Sequence, residues 1–472
     1  MVIKTPLFKA DLPGAVRMRR MEWFAPARLF PAMADKPGFI WLDSGMDQGG
    51  AGRWSFMMWS PAQAISGSVG EFIQTIPGNK AWKTSSPFDA IKRILRENAA
   101  PPQEGAPPFT GGVAGFFGYG LQRLSEPSTR LAAKPPAPEG DVWLGVYPAV
   151  AAFDHGRSEV ILAARPMEGM DVEQSLDRME AQIRQGLAQA AAAPRIISSA
   201  RNGHIKSNFT REGYMAAVEK VRRYIEAGDC YQANIAQRFT VEDVFGGLLY
   251  LRLRAINPAP FGAYINTGAA QILSVSPERF IRVENGMAAA SPIKGTRPRG
   301  HAPMEDNLLK LELAESEKDR AENVMIVDLL RNDLSRVCMP GSVRVESLCA
   351  LETHPQVFHL VSTVAGRLRP GLGAVDLLER SFPGGSVTGA PKIRAMEIID
   401  EIEPDPRGAY CGALGYIGFD GAMDTSVVIR TMVRHGGNIT FHAGGGVTWP
   451  SDPAAEYQET LDKARAMMEA AS

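Results

Sequence analysis

A lysine among prolines and glycines, a glutamate at a strand break and two pairs of carboxylates are the residues of this chain best suited to chemistry. Glu278 lies in Ser276-Pro277-Glu278-Arg279-Phe280, between the apolar run 271–275 and a strand pattern resuming at Phe280. A side chain at such a break can face a cavity. Lys294 follows in Pro292-Ile293-Lys294-Gly295-Thr296-Arg297-Pro298-Arg299. The prolines and the glycine stiffen this loop, and Arg297 and Arg299 are expected to disfavour the ammonium form, leaving an amine able to act as nucleophile or base. Asp319 with Glu322, and Glu456 with Glu459, stand three apart and share a helix face. Two helices bearing such pairs make sense if a hard cation such as Mg2+ sits between them, with one or two direct carboxylates and water or substrate elsewhere. Taken one at a time, each feature also suits a solvated surface.

Two glycine-rich segments suit anions. Ala443-Gly444-Gly445-Gly446-Val447 has the composition of a backbone N–H nest or of a tight hairpin turn. Residues 384–392, with Thr388 and Gly389, run into a helix whose N-terminus attracts negative charge. Ala390-Pro391 stands where a phosphate loop needs Lys-Ser/Thr, which excludes nucleotide hydrolysis. Gly111 to Tyr119 alternates glycine with aromatics and reads as a strand packed against another backbone.

The elements that must position these residues alternate between strand and helix. Strand patterns cover 39–44, a run from 52, and 141–153 paired with 159–164. Residues 126–140 form a proline- and alanine-rich connection. A helix over 171–192 places Leu176, Met179, Ile183 and Leu187 on one face, and 195–208 is the expected flexible boundary. Beyond it come a helix capped by Thr210, a strand over 230–239, a helical stretch over 312–337, a strand over 425–432 and a final helix starting at Asp452-Pro453. This pattern indicates an α+β fold with antiparallel sheets. In 472 residues the formal net charge is −1, so nothing draws the chain to nucleic acid or an anionic membrane. Four cysteines without C-x-x-C spacing, no apolar leader and no run of about 18 apolar residues lead us to expect a cytoplasmic protein with free thiols.

Ser-Pro-Glu-Arg-Phe (276–280) and Pro-Ile-Lys-Gly-Thr (292–296), with KDRAEN (318–323), VDLLRND (327–333) and SDPAAEYQETLDKA (451–464), resemble the chorismate-utilising enzymes. The resemblance runs over 208–466 and more weakly before it. It implies two large antiparallel sheets stacked as a sandwich with helices outside. Residues 1–200 would contribute strands, and 205–468 would form the chorismate-binding catalytic region. It implies Glu322 and Glu459 as direct Mg2+ ligands, with Asp319 and Glu456 acting through water; Asp319 is one methylene shorter than the usual glutamate. Arg430 and Lys463 would grip substrate carboxylates. Thr388, Gly389, Tyr416, Gly444, Gly445 and Gly446 would border the substrate, with His359 near its ring.

The same resemblance implies a reaction. Glu278 would protonate the departing C4 hydroxyl of chorismate while Lys294 adds at C2. Ammonia would then attack C4 and expel the lysine, giving 4-amino-4-deoxychorismate for p-aminobenzoate and folate synthesis. Gln232 stands where water-using relatives carry a lysine base, and an amide cannot serve as one. No glutaminase segment is recognisable, so a separate glutamine amidotransferase subunit is expected to supply ammonia. Lys294 separates this branch from component I of anthranilate synthase, which typically carries alanine there, aminates C2 and eliminates pyruvate. The alternative of another class is a non-catalytic chorismate or tryptophan sensor. Ser44 matches a serine lining the tryptophan pocket of regulatory relatives, although Met57-Met58-Trp59 departs from their pattern and an ordinary strand end is the plainer reading.

Overall fold

In the computed structural model, which describes residues 15–45, 52–76, 78, 80–192, 204–243, 248–353 and 357–472, the apolar runs pair into two twelve-stranded antiparallel sheets. Eleven α-helices accompany them among these residues. Most of the expected boundary at 195–208 lies outside the described residues. Each sheet draws strands from both halves of the chain. The first joins Ile40–Asp43, Trp54–Met58, Ala149–Asp154 and Glu159–Ala164 to Gln232–Glu242, Gln271–Ser276, Thr431–His435 and Asn438–Val447. The second joins Gly112–Phe117 and Val142–Tyr147 to Arg279–Glu284, Ile293–Pro298, Val357–Arg367 and Met423–Val427.

Successive side chains of a strand point to opposite faces, and here both faces are covered. Ile40, Phe56 and Met58 pack between the sheets with Phe116, Leu414 and Val433. Trp41 and Met57 turn outward onto Phe30, Leu176, Ile183 and Met467, which come largely from helices. The second sheet is capped in the same way by Ile91, Ile326, Leu330 and Leu377. Such burial explains why 39–42 shows no polar alternation in sequence.

Three stretches cross from one sheet to the other, two of which read as continuous strands in sequence. The run 141–153 divides into Val142–Tyr147 and Ala149–Asp154, at Pro148. Gln271–Ser276 and Arg279–Glu284 separate at Pro277-Glu278, and Met423–Val427 and Thr431–His435 separate at 428–430. The last two crossings lie side by side. Val427 N–H donates to the Glu278 carbonyl at 3.1 Å, Val275 N–H to the Arg430 carbonyl at 3.1 Å, and Ser276 Oγ to the Val427 carbonyl at 2.6 Å. Chains that switch sheets make the corners of a sandwich, and this corner holds the candidate site.

The helical stretch expected over 312–337 is two helices, Pro303–Glu315 and Glu317–Ser335. Ser316 is extended (φ −63°, ψ 104°) and its hydroxyl accepts Asp319 N–H at 3.3 Å. Its capping preference overrides the helical propensity on either side. Asp319 thereby lies in the first turn of the second helix. Thr210 and Asp452 cap Arg211–Glu226 and Pro453–Ala470 by the same kind of bond.

Gly115 pairs with Gly415 between strands Gly112–Phe117 and Ala413–Gly418. Its φ is +151°, and a Cβ added there would lie 2.1 Å from the Trp143 carbonyl oxygen. Gly115→Ala is therefore expected to destabilise the fold by about 3 kcal/mol or more. Chemical denaturation checks this, and a midpoint matching wild type would show that the strands can separate cheaply.

Candidate active site

Where the two crossings meet, a cavity of about 670 Å3 opens. Glu278 enters it from the first crossing and Arg430 from the second. Arg430 has φ +52°, a left-handed conformation that non-glycine residues adopt only when their surroundings enforce it. Its guanidinium donates to the Lys463 carbonyl at 2.6 Å. Lys294 arrives from Ile293–Pro298, whose register against Val357–Arg367 slips between Ile293 and Thr296. Such irregularities re-aim side chains. Gly295, at φ +80°, lets this segment lie on the helix carrying Asp319, where a Cβ would come within 2.9 Å of Asp319 Cβ. His359 lines the cavity opposite Thr296, with Nδ1 2.9 Å from Thr296 Oγ1.

All four paired carboxylates line the same cavity, Asp319 and Glu322 from one helix, Glu456 and Glu459 from the other. Lys463, one turn beyond Glu459, contacts its carboxylate at 2.6 Å and donates to the Gly444 carbonyl at 3.0 Å. Gln232 is 1% exposed, and neither its amide nitrogen nor its amide oxygen has a hydrogen-bond partner among the described residues.

Several expectations need correction. Gly444 and Gly446 line the cavity, but the three glycines 444–446 form neither a nest nor a turn. They belong to Asn438–Val447, paired residue by residue with Gln232–Glu242. Their lack of side chains is what matters: a Cβ on Gly446 would sit 2.0 Å from Gln232 Nε2, and one on Gly445 2.9 Å from Glu456 Oε2. Thr388 is fully buried with its hydroxyl on the Gly384 carbonyl, and Gly389 bridges to Ala233. From this segment Ser386 and Val387 line the cavity instead.

Tyr416 stacks on Phe109 at 4.4 Å between the sheets, and Tyr410 is the cavity tyrosine. The two stand six residues apart around a glycine-rich turn, where facing direction cannot be read from spacing. Arg297 is engaged by Glu312 and Asp319, and Arg299 by Asp306, so neither is the main influence on Lys294. Ser44 donates to the Trp54 carbonyl at 2.5 Å and lines a second cavity of about 140 Å3 with Arg279 and Asp424.

Burial decides the protonation of the central pair. It raises the Glu278 carboxyl above its ordinary value, against Lys294, a Ser386 hydrogen bond and Lys463. It lowers the Lys294 ammonium, against Glu278 and Glu322 and with the help of Lys463. Both groups therefore move towards their neutral forms. Burial also raises Glu322 and Glu456, each further raised by the Glu459 charge; at Glu459 burial acts the same way, but Lys463, with Lys318 and Lys294, brings the group down. His442, stacked on Tyr410 at 5.0 Å, is held down to about 3 by burial, Arg238 and Arg407.

No three or more His, Cys, Asp or Glu side chains among the described residues are drawn together into a ready-made cation site. The donor chemistry nevertheless fits a hard cation. Glu456 Oε1 accepts Ser451 Oγ at 2.7 Å, while Oε2 is buried without a partner. The Glu459 charge lies close enough to Glu322 to help raise its carboxyl. Magnesium needs only one or two such carboxylates and completes its shell with water and substrate.

A family profile described as chorismate binding enzyme matches residues 39–469. Aminodeoxychorismate synthase component 1 of Klebsiella aerogenes is 41% identical over 441 residues, covering 92% of this chain and 94% of its own. Anthranilate synthase component 1 of Pseudomonas putida is 37% identical over 463 residues, covering 95% and 93%. The crystal structure of anthranilate synthase component I from Streptococcus pneumoniae TIGR4 superposes with a TM-score of 0.76 at 31% identity, covering 88% of this chain and 92% of that one.

The raised Glu278 carboxyl has a consequence for stability. Below the ordinary carboxylate range it is protonated in both folded and unfolded chains and contributes nothing. As pH rises the unfolded chain ionises first, so the penalty grows until the folded group also ionises, and is constant beyond. Glu278→Gln is therefore expected to gain thermal stability relative to wild type as pH rises through the ordinary carboxylate range, and to keep that gain above it. Melting curves at stepped pH check this; a difference that stays flat or reverses would show that Glu278 is not strained by burial.

Proposed function

The chain belongs to the chorismate-binding enzyme family, and from that premise we propose that it is component I of an aminodeoxychorismate synthase. It would aminate chorismate at C4 with ammonia, giving 4-amino-4-deoxychorismate for p-aminobenzoate and folate synthesis. One observation carries the choice of branch: Lys294 lines the cavity beside buried Glu278 and both carboxylate pairs.

In this reading Arg430 and Lys463 hold the substrate carboxylates by charge and hydrogen bonding. Glu278, protonated by virtue of its burial, gives its proton to the departing C4 hydroxyl, which leaves as water. The neutral Lys294 amine forms a bond to C2 as both ring double bonds shift one position and C4–O breaks. The proton shed by that nitrogen returns to the Glu278 carboxylate. Ammonia then bonds to C4, both double bonds shift back, C2–N breaks, and the surplus ammonia proton leaves with the lysine amine. Glu322 and Glu459 would hold Mg2+, with Asp319 and Glu456 behind water; when bound it supplies Lewis-acid polarisation of the ring carboxylate. Gln232 can hydrogen-bond a nucleophile but cannot deprotonate water, which favours ammonia.

A separate glutamine amidotransferase subunit would deliver the ammonia. No described helix is long and apolar enough to cross a membrane, and four buried, unpaired cysteines suit a cytoplasmic setting.

The decisive assay combines the protein with chorismate, Mg2+ and an ammonium salt, followed by a lyase that removes pyruvate from the C4-aminated product. p-Aminobenzoate appearing only after the lyase is the expected result; anthranilate formed without it would assign the sister activity. Lys294→Ala is expected to lower C4 amination by about a hundredfold or more, and full retained activity would rule out the covalent route. Glu322→Gln and Glu459→Gln should each raise the Mg2+ concentration for half-maximal rate by about tenfold or more, whereas an unchanged titration would remove them as ligands.

A further inference from the structure

Ser386, on the short turn Gly385–Val387, stands between the acid and the amine. Its backbone carbonyl accepts Lys294 Nζ at 3.1 Å, and its side chain hydrogen-bonds Glu278. The same carbonyl accepts the Asn234 side-chain amide at 3.0 Å. Asn234 lies two residues after Gln232 on the same strand, so the two amides share a face. Both use room left by Gly446, where a Cβ would come within 2.9 Å of Asn234 Oδ1.

The Asn234 backbone is held without its side chain. Its N–H donates to the Thr388 carbonyl at 2.8 Å, and its carbonyl accepts Arg407 at 2.7 Å. Among the described residues the side-chain amide donates only to Ser386. Such a bond is more than the strand needs to keep its place.

We infer that Asn234 is a positioning residue for C4 amination, fixing the Ser386 carbonyl so that it takes one N–H of the Lys294 amine and leaves the lone pair turned to the substrate ring. A neutral lysine amine has two N–H groups and one lone pair, so anchoring one N–H restricts where the lone pair points. A carbonyl has two acceptor sites, which lets it serve Asn234 and Lys294 together. Without the amide the carbonyl is free to shift, and the carboxylates of Glu278, Glu322 and Glu459 compete for the lysine. Small displacements of a reacting group are costly, about a hundredfold in rate for roughly 1 Å.

The inference rests on the covalent role proposed for Lys294, and its test separates the two. Wild type, Asn234→Ala and the isosteric Asn234→Asp are each mixed with chorismate and Mg2+ without ammonia, quenched in acid and weighed intact. The adduct of enzyme with chorismate less water is expected in wild type. It should form about 10- to 100-fold more slowly in both variants. In steady state with ammonium, kcat should fall by the same factor while the KM for chorismate stays within about twofold, a split that a generally loosened site would not give. Wild type that forms neither adduct nor C4-aminated product overturns the underlying reading. Wild type that forms both, beside variants that keep the adduct rate within about twofold or lose activity through KM alone, overturns the role of Asn234. Should Asn234→Ala fail to fold, Asn234→Asp carries the comparison alone.

Discussion

Withdrawal of one acid and one amine from bulk water, the acid buried and the amine half-buried, is the constraint on which the rest of this structure depends. In bulk water Glu278 would be a carboxylate and Lys294 an ammonium, neither useful for expelling a hydroxyl or attacking a ring. Inside the cavity the cost of burying charge drives both the other way. Lys463 adds a positive charge that works against the lysine keeping its proton. The paired carboxylates work in the opposite sense, and Glu322 counts among the groups that favour the ammonium. A cation bound by those carboxylates would cancel that influence, so the metal and the amine belong to one electrostatic system.

The architecture supplies this environment at a corner. Glu278 and Arg430 come from neighbouring crossings between the sheets, tied together by three hydrogen bonds. Backbone that leaves a ladder is where unusual conformations can be held, and Arg430 adopts one. Lys294 is displaced from regular pairing by a register slip in the adjoining strand. The carboxylates come from two helices far apart in the chain whose side chains line one cavity at this corner. Regular structure fixes the walls, and irregular structure aims the side chains.

Much of this was legible in sequence, for physical reasons that can be named. Caps at Thr210 and Asp452 mark helix starts because a side-chain oxygen satisfies an orphan N–H. The carboxylate pairs were readable because a spacing of three means one helix face. Side-chain direction after a break was not. Tyr416 and Tyr410 exchange places because the chain turns between them. The glycines at 444–446 resemble a turn, yet serve as bare backbone against Gln232 and Glu456. Ser386 and Asn234 carry no motif at all; their importance comes from a carbonyl, which every residue possesses. The arginines beside Lys294 misled because proximity along the chain is not proximity in space once Asp319, Glu312 and Asp306 claim them.

The sharing of both sheets between early and late segments bears on how the molecule comes into being. Ile40–Asp43 finds its neighbour in Phe261–Asn266, and Gly112–Phe117 waits for Ala413–Gly418. A nascent chain leaving the ribosome therefore carries unpaired edges until nearly the last helix has been made. Such long-range closure is intrinsically slow and exposed to aggregation. Neither half should be recoverable as an independently folding fragment, and prompt chaperone capture during synthesis would protect the yield.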